Sequence, residues 1–213
     1  MELNQILLME TVYALLVVVS CLLIFFRTRK IYLFSRHKGV RYFSYAFLFL
    51  AIGFMIRYSV MMTKLWQGNL METINQFGLM TAAMEFFMIL PGFFLLTSLN
   101  WKKFDKYFYG FVLAAFFIAV ADLIFQSMLL MYLSQVTVFF FAALLSYDKS
   151  RKRGKYMKLF SVSIILFLIV WLVNMIAQYT IGSFPMVRIY TYAITLVACF
   201  IFVYITMKLT KDF

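Results

Sequence analysis

The sequence predicts an all-α membrane protein, a bundle of seven transmembrane helices. Composition is the first ground: of 213 residues, 65% are apolar and 13% charged, where a soluble domain carries about a quarter charged residues. Mean hydropathy is +0.93. The second ground is spacing. The chain divides into seven apolar runs, each near the ~20 residues that cross a ~30 Å hydrocarbon layer. The third is charge. Seventeen of the 20 Lys and Arg residues fall between alternate runs or at the C-terminus.

The runs lie near 6–26, 42–63, 74–98, 107–122, 125–146, 158–180 and 187–207. The first lacks a basic leader and a small-residue cleavage site, so it reads as a retained helix and not as a signal peptide. Trp66 stands at the end of the second, and Trp101, Tyr107 and Tyr109 surround the loop after the third, as interfacial aromatics do. Residues 107–146 are almost continuously apolar. As one helix they would run ~60 Å, about twice the bilayer. A tight hairpin around Asp122–Gln126 resolves this and leaves the fourth span short. No loop or tail reaches the roughly 50 residues of a soluble domain, so the expectation is one transmembrane domain over 1–213.

The basic clusters are Arg27-Arg29-Lys30, Arg36-Lys38-Arg41, Lys102-Lys103-Lys106, Lys149 to Lys158, and Lys208-Lys211. Only Arg57, Lys64 and Arg188 stand elsewhere. The positive-inside rule then places the N-terminus outside and the C-terminus in the cytoplasm, which an odd number of spans also requires. The net charge of +12 is an orientation signal that also attracts anionic headgroups. Nucleic acid is not an expected partner. A cytosolic or membrane protein is a second candidate partner after anionic lipid, since an output domain would belong to another chain.

Chemistry is bounded mostly by exclusion. His37 is the one histidine, which removes multi-histidine zinc sites and bis-histidine haem. His-Glu-x-x-His and Gly-x-Ser-x-Gly are absent, and the last span has no mid-depth lysine for a retinal. Neither a cofactor nor a metal is expected, and the chain reads as non-enzymatic. Cys21 and Cys199 both fall within spans and read as small packing residues.

Ionisable groups inside a membrane are costly, and each marks a candidate site. Glu85 lies ~16 Å into the third span. Gly78 and Gly92, seven residues to either side, share its face, so that face points into the bundle. Pro91 follows and is expected to kink or loosen the inner part of the helix. On the second span, Gly53 and Arg57 share a face, with Arg57 ~9 Å from the boundary. Arg57 is the expected partner of Glu85. The remaining candidates are Glu10, Asp122, Gln126, Asn174, Gln178, Arg188 and Tyr192. Together they place the polar groups in the outer half, above a drier, Phe-rich inner half.

Two loops share a pattern, Lys38-Gly39-Val40-Arg41-Tyr42 and Arg153-Gly154-Lys155-Tyr156. They suggest a 3+1+3 pseudo-repeat, similar in layout to the small sugar-transporter and PQ-loop family. The chain departs from that family in having no Pro-Gln dipeptide and only Pro91 and Pro185, so the family's proline hinges do not carry over. Three functions are therefore weighed. The first is receptor-like or sensory binding of a small solute, ion or proton in an outward-facing polar pocket. The second is a small-solute or proton-coupled transporter, and the third is a structural subunit of a membrane complex. The plasma membrane is the expected location.

The charge pattern makes a direct prediction. Green fluorescent protein fused to the C-terminus should fluoresce in a bacterial host, and alkaline phosphatase fused there should be inactive. The reverse result would invert the topology.

Overall fold

The computed structural model describes residues 3–67, 73–151, 154–180 and 185–209; the side chains of 3–8, 60–67, 73–77, 178–180, 185, 186 and 188 lie outside the described residues. Every regular element among the described residues is helical. The order is α1 (Leu3–Ser35), α2 (Lys38–Gln67), α3 (Thr73–Leu99), the short α4 (Trp101–Phe104), a 3₁₀ turn (Asp105–Tyr107), α5 (Phe108–Phe125), α6 (Leu129–Arg151), α7 (Lys155–Thr180) and α8 (Pro185–Leu209). Seven segments are long and apolar enough to cross a membrane, with α4, the 3₁₀ turn and α5 acting as one. The chain is an integral, multi-pass membrane protein. Helices are the natural solution, because hydrocarbon offers no partner to an exposed backbone N–H or C=O.

Several boundaries differ from expectation: α2 spans Lys38–Gln67 and not 42–63, and α6 spans Leu129–Arg151 and not 125–146. The first helix was expected to end near 26 but continues to Ser35, carrying Arg27, Arg29 and Lys30 on its last turns. Lys and Arg are good helix formers, so the helix outruns the apolar stretch. The fourth span is also longer than 107–122, running from Trp101 to Phe125. Asp122 stays inside α5, and the hairpin turns four residues later, at Gln126. There φ is 51° and ψ 36°, a left-handed helix cap. The N–H of Ser127 bonds back to the carbonyl of Asp122 at 3.0 Å and closes the helix end.

α3 is the hub, packing on α2, α5 and α6. It runs as one helix through Pro91. Glycines set the close approaches. A Cβ on Gly53 would stand 3.2 Å from the Met88 side chain and 3.3 Å from the Phe87 backbone, so α2 lies tight on α3. On Gly78 it would meet Leu123 of α5 at 3.1 Å, and on Gly92 it would meet Gln135 and Val138 of α6 at 3.0 and 3.2 Å. The remaining neighbours are α1 with α2, α6 with α7, α7 with α8, and α8 with α1. Six helices thus close a ring, and α5 lies outside it against α3 and α6. Phe116, Phe117, Ile124 and Phe125 of α5 are exposed, as lipid-facing residues are.

The ring is filled by aromatic rings. Phe202 of α8 contacts Phe43 and Phe47 of α2 and Phe160 and Phe167 of α7, and Phe167 stacks on Phe139 of α6. Ser and Thr hydroxyls at this depth return to backbone carbonyls, Thr206 to Phe202 and Ser146 to Ala143. Ser44 bonds across to the carbonyl of Phe25, and Ser146 also to Ser161.

One end of the bundle gathers the basic residues. There Lys38 pairs with Asp105 at 2.8 Å, the Trp101 indole N–H donates to Nε2 of His37 at 3.2 Å, and Lys149 donates to the carbonyl of Leu99. The two Gly-Tyr loops differ in setting. Gly39 is hemmed in by His37 and the Ser98 carbonyl, and Tyr42 is buried. Gly154 has open space around it, and Tyr156 is 40% exposed.

The glycine contacts predict a graded effect. Gly92→Val should destabilise the protein in detergent by about 1–3 kcal/mol, as overpacking does. Gly110→Ala, where an added Cβ meets nothing within 4 Å, should leave the melting temperature unchanged or slightly raised.

Candidate functional site

Five of the sequence-predicted polar residues fall into two groups away from the basic end of the bundle. The first is a crevice among α1, α2 and α8, lined by Glu10, Tyr13, Ala14, Phe54, Arg57, Tyr58 and Tyr192. Helical spacing builds it. Glu10, Tyr13, Ala14 and Val17 share the inner stripe of α1, and Tyr192, Thr195 and Cys199 form the stripe of α8 that meets it. The Tyr192 hydroxyl donates to Oε1 of Glu10 at 2.9 Å. The Tyr13 and Tyr192 rings stack, 4.1 Å between centroids. Tyr13 also lies beside Thr195, whose hydroxyl donates to the Thr191 carbonyl at 2.7 Å. One helical turn deeper, the buried thiols of Cys21 and Cys199 lie within hydrogen-bonding reach.

Arg57 emerges from α2 on the rim of this crevice and is exposed. The crevice is partly open, and the space within it is about 20 Å³, enough for about one water molecule.

The second group lies between α3, α5 and α6. Glu85 is 2% exposed. Its charged neighbour is Asp122 of α5, also buried. Asp122 does a structural job. Its Oδ1 accepts the N–H of Leu130 at 3.0 Å and its Oδ2 that of Met131 at 2.7 Å, so it caps α6 from the preceding helix. Gln135 of α6 is fully buried and donates from Nε2 to the Ile89 carbonyl of α3 at 3.0 Å. Gln135 is a residue the sequence reading missed. The rule that marked Glu85 would have marked it, since it interrupts the apolar run of the fifth span and shares a stripe with Met131 and Val138.

The expected pair of Glu85 with Arg57 does not form. Gly53 and Arg57 share a face of α2, but α2 lies against Phe87 and Met88. At 100° per residue, Phe87 stands about 160° round α3 from Glu85, with Met88 between, and the stripe of Gly78, Glu85 and Gly92 faces α5 and α6. Gln126 is exposed on the hairpin, and Asn174 is half-buried on α7. The side chains of Gln178 and Arg188 lie outside the described residues.

No family model matches the chain, and no solved structure matches it. It is similar to a protein of Archaeoglobus fulgidus described as an uncharacterized protein, with 27% identity over 177 residues, covering 78% of this chain and 77% of that one.

The two groups should respond differently to mutation. Asp122→Ala strips the cap from α6 and should cost about 1–2 kcal/mol. Tyr192→Phe removes one interhelical hydrogen bond and should cost about 0.6 kcal/mol. Unfolding of both variants in bicelles checks the order.

Proposed function

We propose that this is a non-enzymatic, receptor-like or sensory membrane protein that takes a small ion or solute from outside into the crevice of α1, α2 and α8. One observation carries the reading. Glu10 and Arg57, opposite charges on different helices, line one open crevice beside Tyr13, Tyr58 and Tyr192. Charged side chains are expensive at membrane depth and are retained around ligand and ion paths. The aromatic filling of the ring below supports binding over open-pore conduction, because a water-filled pore wants polar lining along its whole length. His37 is engaged with Trp101 at the basic end, far in the fold from the crevice, which fits a site without acid–base catalysis.

In this reading the crevice faces outward and the basic end is cytoplasmic, in the plasma membrane. Exposed Arg27, Arg29, Lys30, Lys102, Lys103 and Lys106 then meet anionic headgroups. A cytosolic or membrane partner would carry the output.

A second reading, a small-solute or proton-coupled transporter of 3+1+3 layout, is favoured by the helix arrangement. Two sequential three-helix units, α1–α3 and α6–α8, meet along α3–α6 and α1–α8, with α5 outside. Both polar groups lie at these seams, where alternating access would need sliding.

Purified protein in nanodiscs, titrated with a panel of inorganic ions and small zwitterions, should show a thermal shift with at least one of them. Arg57→Gln should weaken that binding about tenfold, or 1.4 kcal/mol, with the fold intact. A response unchanged in Arg57→Gln would remove the crevice as the site. Solute-driven flux into liposomes would decide for the transporter.

A further inference from the structure

The Glu85 group has an imbalance of a specific kind. Among the described residues, the buried side-chain polar atoms without a hydrogen-bond partner are Oε2 of Glu85 and Oε1 of Gln135. Both are acceptors. Both residues border the same stripe of α3: Oε1 of Gln135 lies 3.0 Å from where a Cβ on Gly92 would stand, and Gly92 is two turns from Glu85 on that stripe. Asp122 adds a second carboxyl within electrostatic reach of Glu85. No ion pair involving either acid occurs among the described residues, where Lys38 with Asp105 is the pair present.

The groups around Glu85 can be named helix by helix. From α5 comes Asp122, while neutral Gln135 of α6 packs two turns further along α3, at Gly92. Arg57 of α2 is turned to the crevice. Two carboxyls in a low-dielectric setting without a counter-charge are unfavourable when both are ionised. The Asp122 oxygens are each served by a backbone N–H at the start of α6, whereas Glu85 has an oxygen left over. What is missing is therefore positive charge.

We propose that Glu85, beside Asp122, holds one monovalent cation, either a proton on its carboxyl or an alkali ion such as sodium. Oxygen ligands of this type suit hard cations. Glu85 is the group that binds, and Asp122 supplies field while it caps α6. The site is separate from the crevice and shares no side chain with it.

The test uses the full chain in nanodiscs. One arm titrates sodium chloride against choline chloride at matched ionic strength. The other varies pH in choline alone. Melting temperature and the infrared carbonyl band of a protonated carboxyl are read in each. The wild type should be stabilised by acid, by sodium or by both. Glu85→Gln, which resembles the loaded state, should fold, lose the infrared band and respond to neither. A band that grows with acid and ignores sodium assigns the proton, and a band that sodium abolishes assigns the alkali ion. Equal responses in wild type and Glu85→Gln would overturn the proposal. So would a Glu85→Leu variant that is fully stable with its titration unchanged. Ligand binding at the crevice should persist in Glu85→Gln, so this site and the crevice fail or succeed separately.

Discussion

In hydrocarbon a polar group must find its partner within the chain, and most features of this bundle follow from that constraint. It makes every spanning segment a helix. It turns Thr28, Thr97, Thr137 and Thr206 back onto carbonyls of their own helices. It also lets a buried acid persist in α5, because the first turn of α6 presents two unused N–H groups to Asp122. Where the constraint is left unmet, at Glu85 and Gln135, the departure is informative, because a buried group without a partner is unfavourable.

α3 shows how a single helix can serve three neighbours. Its Gly78 and Gly92 admit side chains of α5 and α6, while its Phe87 and Met88 lie against Gly53 of α2. Small residues on both sides of an interface substitute close backbone approach for the hydrophobic drive that lipid removes. The same geometry sends the two intramembrane charges of α2 and α3 to different places. Glu85 enters a closed three-helix contact, and Arg57 comes out beside α1 and α8.

The bundle is also polarised along its axis. Phe43, Phe47, Phe160, Phe167 and Phe202 fill the ring, while Glu10, Tyr13, Arg57 and Tyr192 gather near its opposite end. Aromatic side chains bury large areas with few rotatable bonds, so the filled part is suited to act as a rigid base and the polar part as the region that responds. α5, outside the ring and exposed along Phe116, Phe117 and Ile124, shields the Glu85 group from lipid on one side.

The number of spanning segments was legible in the sequence because crossing a membrane is a matter of length and hydropathy, which are properties of each segment alone. The inward turn of Glu85 was legible for a similar reason: Gly78 and Gly92 repeat at helical spacing, and period belongs to one helix. Helix ends were less so. Ser35 and Phe125 end their helices where capping and end geometry dictate, and hydropathy does not record that. What only the tertiary structure decided was the partner across each interface. Glu10 bonds Tyr192, 182 residues away in the chain, Gln135 reaches Ile89, and Arg57 leaves Glu85 to Asp122. Helical period says which residues share a face, but the neighbour toward which that face is turned depends on how all seven helices pack together.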